Sequence, residues 1–315
     1  MTKVIKTNIT VNTPKRVWLD TDLMIGCPVN APREVDDGVT LIMALRQPSI
    51  ELVGISLITV VDYGEEVAHK LLKWYNKTGR DIPVYKGSDL ANDVGVENDA
   101  TRALASALEK EKLTILAIGP ATNVATVLKN RPYLASQIEE IAFCIGRTPG
   151  LEFRPGLGNY PVGDYNFEKD VESIKIILET DVPLVFSGFE CSSSLFLGPV
   201  DIDRLNEGME GDKWTFEQLI SWIARGYKLF GSEGFIPYDT TVLGYLTNPE
   251  QFKYYEDIPV LINVKPNDSM NGRDPRPVKE YLEVSYDFQS KRKVKYAYKT
   301  LPGFEEIVIK SLLGK

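Results

Sequence analysis

Four aspartates crowd one connection near the start of the chain. Asp20 and Asp22 follow the apolar run Val17-Trp18-Leu19, and Asp36 and Asp37 stand just before Gly38-Val39-Thr40-Leu41-Ile42-Met43-Ala44-Leu45. The first run has the pattern of a buried strand and the second that of a helix, so all four carboxylates belong to one strand-to-helix turn. Like charges a few ångström apart raise one another's pKa or recruit a cation. A helix N-terminus favours carboxylates but does not neutralise four. A bound hard cation is the natural reading; the plainer one is that Asp36 caps the helix while Asp20 and Asp22 sit in a loop.

Two aspartates such as Asp22 and Asp37 cannot complete the six to eight oxygen ligands of calcium, or the six of magnesium. The carbonyl of Ile118, where a strand breaks at Gly119-Pro120, and the carboxylate of Asp239 are reasonable additions. Asp239 precedes the apolar run Thr240 to Leu246, a position that also suits an ordinary helix cap. The stretch Gly156 to Asn166 is rich in glycine and carboxamides, with Asp170 at the start of the next helix. Carboxamides beside a carboxylate offer donors and acceptors to vicinal sugar hydroxyls, and a plain turn-rich loop has the same composition. Trp222, Tyr227 and Phe230 fall on one helix, either as core or as the wall of a pocket for a planar ring.

The elements that must position these groups alternate. Strand-like runs at Arg16–Leu19, Glu51–Val61, Ile82–Tyr85, Leu113–Ile118, Ile138–Ile145 and Val182–Phe186 are separated by amphipathic stretches at Asp36–Arg46, Gly64–Lys77, Ala100–Lys110, Ala121–Lys129 and Val171–Glu179. That order predicts an α/β fold, a mostly parallel open sheet flanked by helices. The last third predicts a helix over Trp214–Phe230, another after Asp239, and a hairpin pairing Tyr281–Phe288 with Val294–Tyr298 around the turn Lys291-Arg292-Lys293. It reads as an elaboration of one domain spanning residues 1–315. In such sheets the functional crevice lies at the carboxyl ends of the strands, where the aspartates, Gly119 to Asn123 and the Asn159 to Asn166 loop should converge.

Composition narrows the function classes. A chain of 315 residues, 43% hydrophobic, can bury a large core. A net charge of −8 with scattered basic residues argues against a nucleic-acid groove. No window is apolar enough to cross a membrane, and Met1 to Lys15 lacks a signal-like core, so a soluble, cytoplasmic protein is expected. Cys27, Cys144 and Cys191 are odd in number and far apart, which fits core or loop thiols in a reducing compartment. The single histidine, His69, lies in a helical stretch and excludes histidine triads and multi-histidine zinc sites.

Taken in order, these segments resemble the inosine-uridine-preferring nucleoside hydrolase family over about residues 16 to 312. The strand, Asp-x-Asp, Asp-Asp and helix appear as Leu19-Asp20-Thr21-Asp22 and Val35-Asp36-Asp37-Gly38. The Gly-Pro-x-Thr-Asn turn is Gly119 to Asn123, the sugar loop Gly158-Asn159, Pro161 and Asp164-Tyr165-Asn166, and the last pair Tyr238-Asp239. The resemblance implies calcium bound by Asp22, Asp37, Asp239 and the Ile118 carbonyl, with two ribose hydroxyls completing its shell. It further implies that Asp36, Asn159, Asp164 and Asn166 grip the ribose, and that Asp22 takes a proton from a calcium-bound water attacking the anomeric carbon. Asp20 is then a supporting group, Tyr238 sits at the leaving base, and the substrate is a nucleoside or related riboside. A homodimer or homotetramer is implied as well.

Four departures from the family pattern stand out. Leu23 to Val35 lengthens the gap between the aspartate pairs, predicting a loop over the site. Asp164 replaces a glutamate, Tyr238 replaces the histidine that protonates the departing base, and Asp62-Tyr63-Gly64 replaces a Gly-Asn. Glu34 is a candidate substitute acid. Two competing functions remain: a calcium-dependent riboside-binding homologue without turnover, and a magnesium-dependent phosphatase resembling the haloacid dehalogenases, in which Asp20-Thr21-Asp22 is the nucleophile motif.

Overall fold

Alternation along the first strand decides the architecture. The structure, a computed structural model, describes residues 13–91, 93–155, 161–271 and 274–315. Strand β1 (Lys15–Thr21) is buried from Val17 onward, with Val17 and Leu19 in one apolar core and Trp18 in another. Successive side chains of a strand point to opposite faces, so a strand buried on both must lie inside a sheet covered by helices.

The remaining strands are β2 (Ile50–Leu57), β3 (Val84–Lys86), β4 (Leu113–Ala117), β5 (Ile138–Cys144), β6 (Leu184–Ser187), β7 (Phe252–Pro266), β8 (Val278–Val284) and β9 (Lys293–Thr300). They form one sheet of order β3-β2-β1-β4-β5-β6-β9-β7-β8. The pairs from β3 through β6 to β9 are parallel, whereas β7 pairs antiparallel with both β8 and β9. The helices Asp36–Leu45, Val61–Tyr75, Thr240–Thr247 and Phe304–Leu312 bury their apolar residues in the core with Val17 and Leu19. Those at Asp99–Leu108, Thr122–Asn130 and Val171–Leu178 contribute to the core with Trp18. The long helix Glu210–Phe230 seats Trp222 against the first core and leaves Tyr227 60% exposed, so its aromatics are not uniformly core. Among the described residues no helix is long and apolar enough to cross a membrane.

The expected hairpin between 281–288 and 294–298 does not form. Both strands pair instead with β7, which runs for 15 residues and bends at Asp257, where φ is +50° and the register with β9 shifts. Residues before the bend pair mainly with β9 and residues after it with β8. The turned half brings β8 to the carboxyl end of β5: Arg147 N–H donates to Leu282 C=O at 3.2 Å, and Val284 N–H to Arg147 C=O at 3.0 Å.

One contact fixes how β1 and β2 pack. Gly54 lies against the Trp18 ring, and a Cβ built there would stand 2.4 Å from it. Trp18 Nε1 donates to Ser56 Oγ at 2.8 Å, so the ring cannot simply turn away. Gly54→Ala is therefore expected to destabilise the protein by about 1–3 kcal/mol, measurable as a lower urea midpoint at unchanged slope.

Candidate active site

The carboxyl ends of β1, β4 and β5 meet the first turns of the helices Asp36–Leu45 and Thr240–Thr247. Asp22, Asp36, Asp37 and Asp239 are all buried at this junction. Asp36, Asp37 and Asp239 each offer a carboxylate oxygen, and the three oxygens lie within 4.8 Å of one another. Thr21 Oγ1 donates to Asp37 Oδ1, and the Asp22 N–H also faces the Asp37 carboxylate. Helix capping does not account for this arrangement. Val35 occupies the N-cap position of Asp36–Leu45, and Asp239, at the N-cap of the other helix, makes no side-chain capping bond.

Burial pushes Asp22, Asp37 and Asp239 well above the usual carboxylate range, and the neighbouring carboxylates add to the shift. Asp36 is pushed up to about 7, first by burial and then by Asp37, and its carboxyl is hydrogen-bonded to that of Asp239. Carboxylates this close and this dry cannot all be ionised on their own. The three clustered carboxylates are hard oxygen donors of the kind that suit a hard divalent cation.

Gly119 belongs to the same wall. A Cβ on it would stand 2.8 Å from Asp22 Oδ1 and 2.9 Å from the Asp22 nitrogen. With calcium as the cation of this cluster and Asp22 as a ligand, Gly119→Ala is expected to lower calcium affinity about 10–100-fold, the usual cost of disturbing a ligand's support. Calorimetric titration with calcium checks this, with thermal unfolding as the control for fold.

Asp20 stands apart from the cluster in role. It is fully buried, its Oδ1 accepts from Ser56 Oγ and, at 2.9 Å, from Asn123 Nδ2, and burial pushes it up to about 6. Asn123 also donates to Leu57 C=O at 3.0 Å, tying β1 to β2 behind the site. A side chain so enclosed cannot attack a phosphate ester, which removes the phosphatase reading of Asp20-Thr21-Asp22.

The sugar-loop residues divide. Asp164 is buried and accepts from Gly146 N–H through Oδ2 at 2.8 Å; burial pushes it up to about 6. Asn166 donates through Nδ2 to Ile118 C=O at 2.8 Å and Cys144 C=O at 3.3 Å, and among the described residues its Oδ1 accepts no hydrogen bond. Asn159 lies outside the described residues. The inserted stretch packs rather than simply overhanging: Leu23, Met24, Ile25 and Cys27 are buried, Tyr63 donates to Ile25 C=O at 2.9 Å, and Gly26 rests on Trp214. Its tip is exposed, with Arg225 donating to Asn30 C=O at 2.7 Å.

Tyr238 stacks on Phe189 at 5.9 Å between centroids, and Phe189 stacks on Phe153 at 3.8 Å. Burial pushes its phenol well above 10, with the charges of Glu34 and Asp36 adding to the shift. The hydroxyl therefore stays neutral and can donate a hydrogen bond at any working pH. Cys144 is a site residue that nothing in its sequence neighbourhood singles out. It is partly exposed, and burial together with Asp239, Asp36 and Asp164 pushes its thiol well up. Its place at the end of a parallel strand is the available signal. All three cysteines are free thiols, and His69 is exposed.

Comparison with known proteins identifies the family and the fold. Residues 17–274 match the family model described as inosine-uridine preferring nucleoside hydrolase. A pyrimidine-specific ribonucleoside hydrolase, RihB, from Escherichia coli O157:H7 is 22% identical over 250 residues, covering 70% of this chain and 78% of RihB. Among solved structures, the plant nucleoside hydrolase PpNRh1 superposes with a TM-score of 0.73 at 17% identity, covering 95% of this chain and 98% of the other. A purine-preferring ribonucleoside hydrolase from Gardnerella vaginalis gives the same TM-score and coverage at 16% identity. With a family model matched over most of its length and the same sheet carrying an acidic cluster at its strand ends, the chain belongs to the inosine-uridine preferring nucleoside hydrolase family.

Proposed function

We propose that this protein hydrolyses the N-glycosidic bond of ribonucleosides, releasing ribose and free base, with calcium held by Asp22, Asp37, Asp239 and the Ile118 carbonyl. The observation that carries this reading is the convergence of the Asp37 and Asp239 carboxylates with that of Asp36, and with Asp22 near enough to raise both ligands' pKa, at the strand ends of a nucleoside-hydrolase sheet. Calcium, when bound, supplies the positive charge that anchors ribose hydroxyls and acidifies water. Asp22 accepts the proton of the attacking water as its oxygen bonds to the anomeric carbon. The C–N pair leaves with the base, and the surrounding carboxylates favour the positive charge that develops on the sugar. Asp36, Asp164, Asn159 and the free Oδ1 of Asn166 orient the ribose. The same reading takes the chain to work as one domain in a cytoplasmic homodimer or homotetramer, which sedimentation of the purified protein would test.

Tyr238 acts on the departing base by stacking and by one donated hydrogen bond rather than as a strong acid. Tyr238→Phe keeps the ring and should lower kcat/KM by no more than ~10-fold, the worth of one hydrogen bond. No alkaline limb should arise from this residue below pH 10. A reducing-sugar assay over purine, pyrimidine and modified nucleosides tests the proposal as a whole. At least one nucleoside should yield ribose with calcium present, and silence across the panel in a calcium-loaded protein would overturn it.

A further inference from the structure

Two buried cations, Lys279 on β8 and Arg147 just beyond β5, meet at the Asp268 carboxylate. Lys279, on β8, has no exposed side-chain surface. Its Nζ donates to Glu168 Oε1 and to Ser269 Oγ, each at 2.7 Å, and lies 3.1 Å from Asp268 Oδ1. Arg147, 2% exposed, donates to Asp268 Oδ2 at 2.6 Å. Buried charges are retained only when paired, and here the pairing runs toward the site.

Glu168 connects the cluster to the loop. The Asp164 N–H donates to the same Glu168 Oε1 at 2.9 Å, and Glu168 N–H donates back to Asp164 C=O at 2.7 Å. Gly163 presses against the carboxylate so closely that a Cβ would stand 2.7 Å from Oε2. Asp164 Oδ2 in turn accepts from the N–H of Gly146, the residue before Arg147. The contacts close a ring: Asp164, Glu168, Lys279, Asp268, Arg147, Gly146 and back to Asp164.

We infer that Lys279 is a positioning residue for the sugar site, acting through Glu168 to fix the turn that presents the Asp164 carboxylate. This rests on the reading that Asp164 holds the ribose. An aspartate is a methylene shorter than a glutamate, so its reach depends on where its backbone is held, and the ring holds it from both sides. Without the ammonium, Glu168 is a half-buried carboxylate whose remaining cation among the described residues is Arg276, 3.7 Å from Oε2 and half-exposed, which draws it outward. The Asp164 N–H and the close fit at Gly163 are then released. A shift of about an ångström in a substrate-positioning group costs up to ~100-fold in rate.

The test is a double-mutant cycle on the full-length, calcium-loaded protein. Lys279→Met should lower kcat/KM for the hydrolysed nucleoside about 10–100-fold in the natural background, but less than about 2-fold in an Asp164→Ala background, because residues acting as one unit are not additive. Should Lys279→Met fail to fold, Glu168→Ala runs the same cycle, since Lys279 keeps Asp268 and Ser269 as partners. An equal loss in both backgrounds, or a folded variant with unchanged kcat/KM, overturns the inference. The wild-type protein is read first, so its failure to release ribose counts against the proposed function and not against the ring. The cycle is then read on the thermal shift produced by D-ribose, and absence of that shift in wild type overturns both.

Discussion

Asp22→Asn is expected to lower ribose release by at least ~10³-fold, because it removes the proton acceptor and weakens a metal ligand in one step. The loss should fall on kcat as well as on KM, since an amide neither takes the water's proton nor balances the cation. The fold should survive. Burial and neighbouring charge push Asp22 well above its ordinary range, so its ionised form opposes folding in the cation-free protein, and a neutral isostere relieves that. Asp20→Asn is the contrasting control. A carboxamide oxygen still accepts from Ser56 and Asn123 in that position, and kcat/KM should stay within ~10-fold of wild type. Activity that persists in Asp22→Asn would overturn the base and the ligand assignment together.

Removing the cation should change both activity and the pH dependence of stability. With calcium chelated, ribose release should fall to background. Asp20, Asp36 and Asp164 are pushed up to about 6, 7 and 6, while in the unfolded chain they titrate near the ordinary aspartate value of 3.8. The native state then binds more protons than the unfolded state between those limits, so stability falls as pH rises. The stabilisation is fully present below about pH 4 and is lost by about pH 7, by roughly 3–4 kcal/mol for each such group. Thermal melts in chelator should therefore drop between pH 5 and pH 8. Calcium should raise the melting temperature far more at pH 8 than at pH 5, where protons compete for the same oxygens. A calcium effect of equal size at both pH values would contradict the carboxylate cage.

Much of the fold and site is legible in the residues, and the physics that makes it so also marks where legibility ends. The first six strands declare themselves because buried parallel strands are continuous apolar runs, and the helices between them keep a helical period. The aspartate pairs are legible because four carboxylates in one short connection repel one another, and neither a loop nor a single helix cap requires so many. Strand β7 is not legible: Glu256-Asp257 and Pro259 interrupt its pattern, and what makes it a strand is pairing with β8 and β9 far along the chain. Lys291-Arg292-Lys293 accordingly has the look of a hairpin turn between two strands that β7 in fact separates. Lys279, Arg147 and Glu168 carry no mark in the sequence, because nothing local reports that a cation is buried against a partner more than a hundred residues away. Cys144 reads as filler for the same reason, since its neighbours Asp36, Asp164 and Asp239 come from three separate connections.

Cleavage at a ribose-binding acidic site is tested most closely by product stoichiometry. Wild-type protein with calcium should convert a nucleoside to free ribose and free base in equal amounts over many turnovers. Thermal stabilisation by ribose or nucleoside, with neither product released from any member of the panel, would instead mark a binding homologue and contradict hydrolysis.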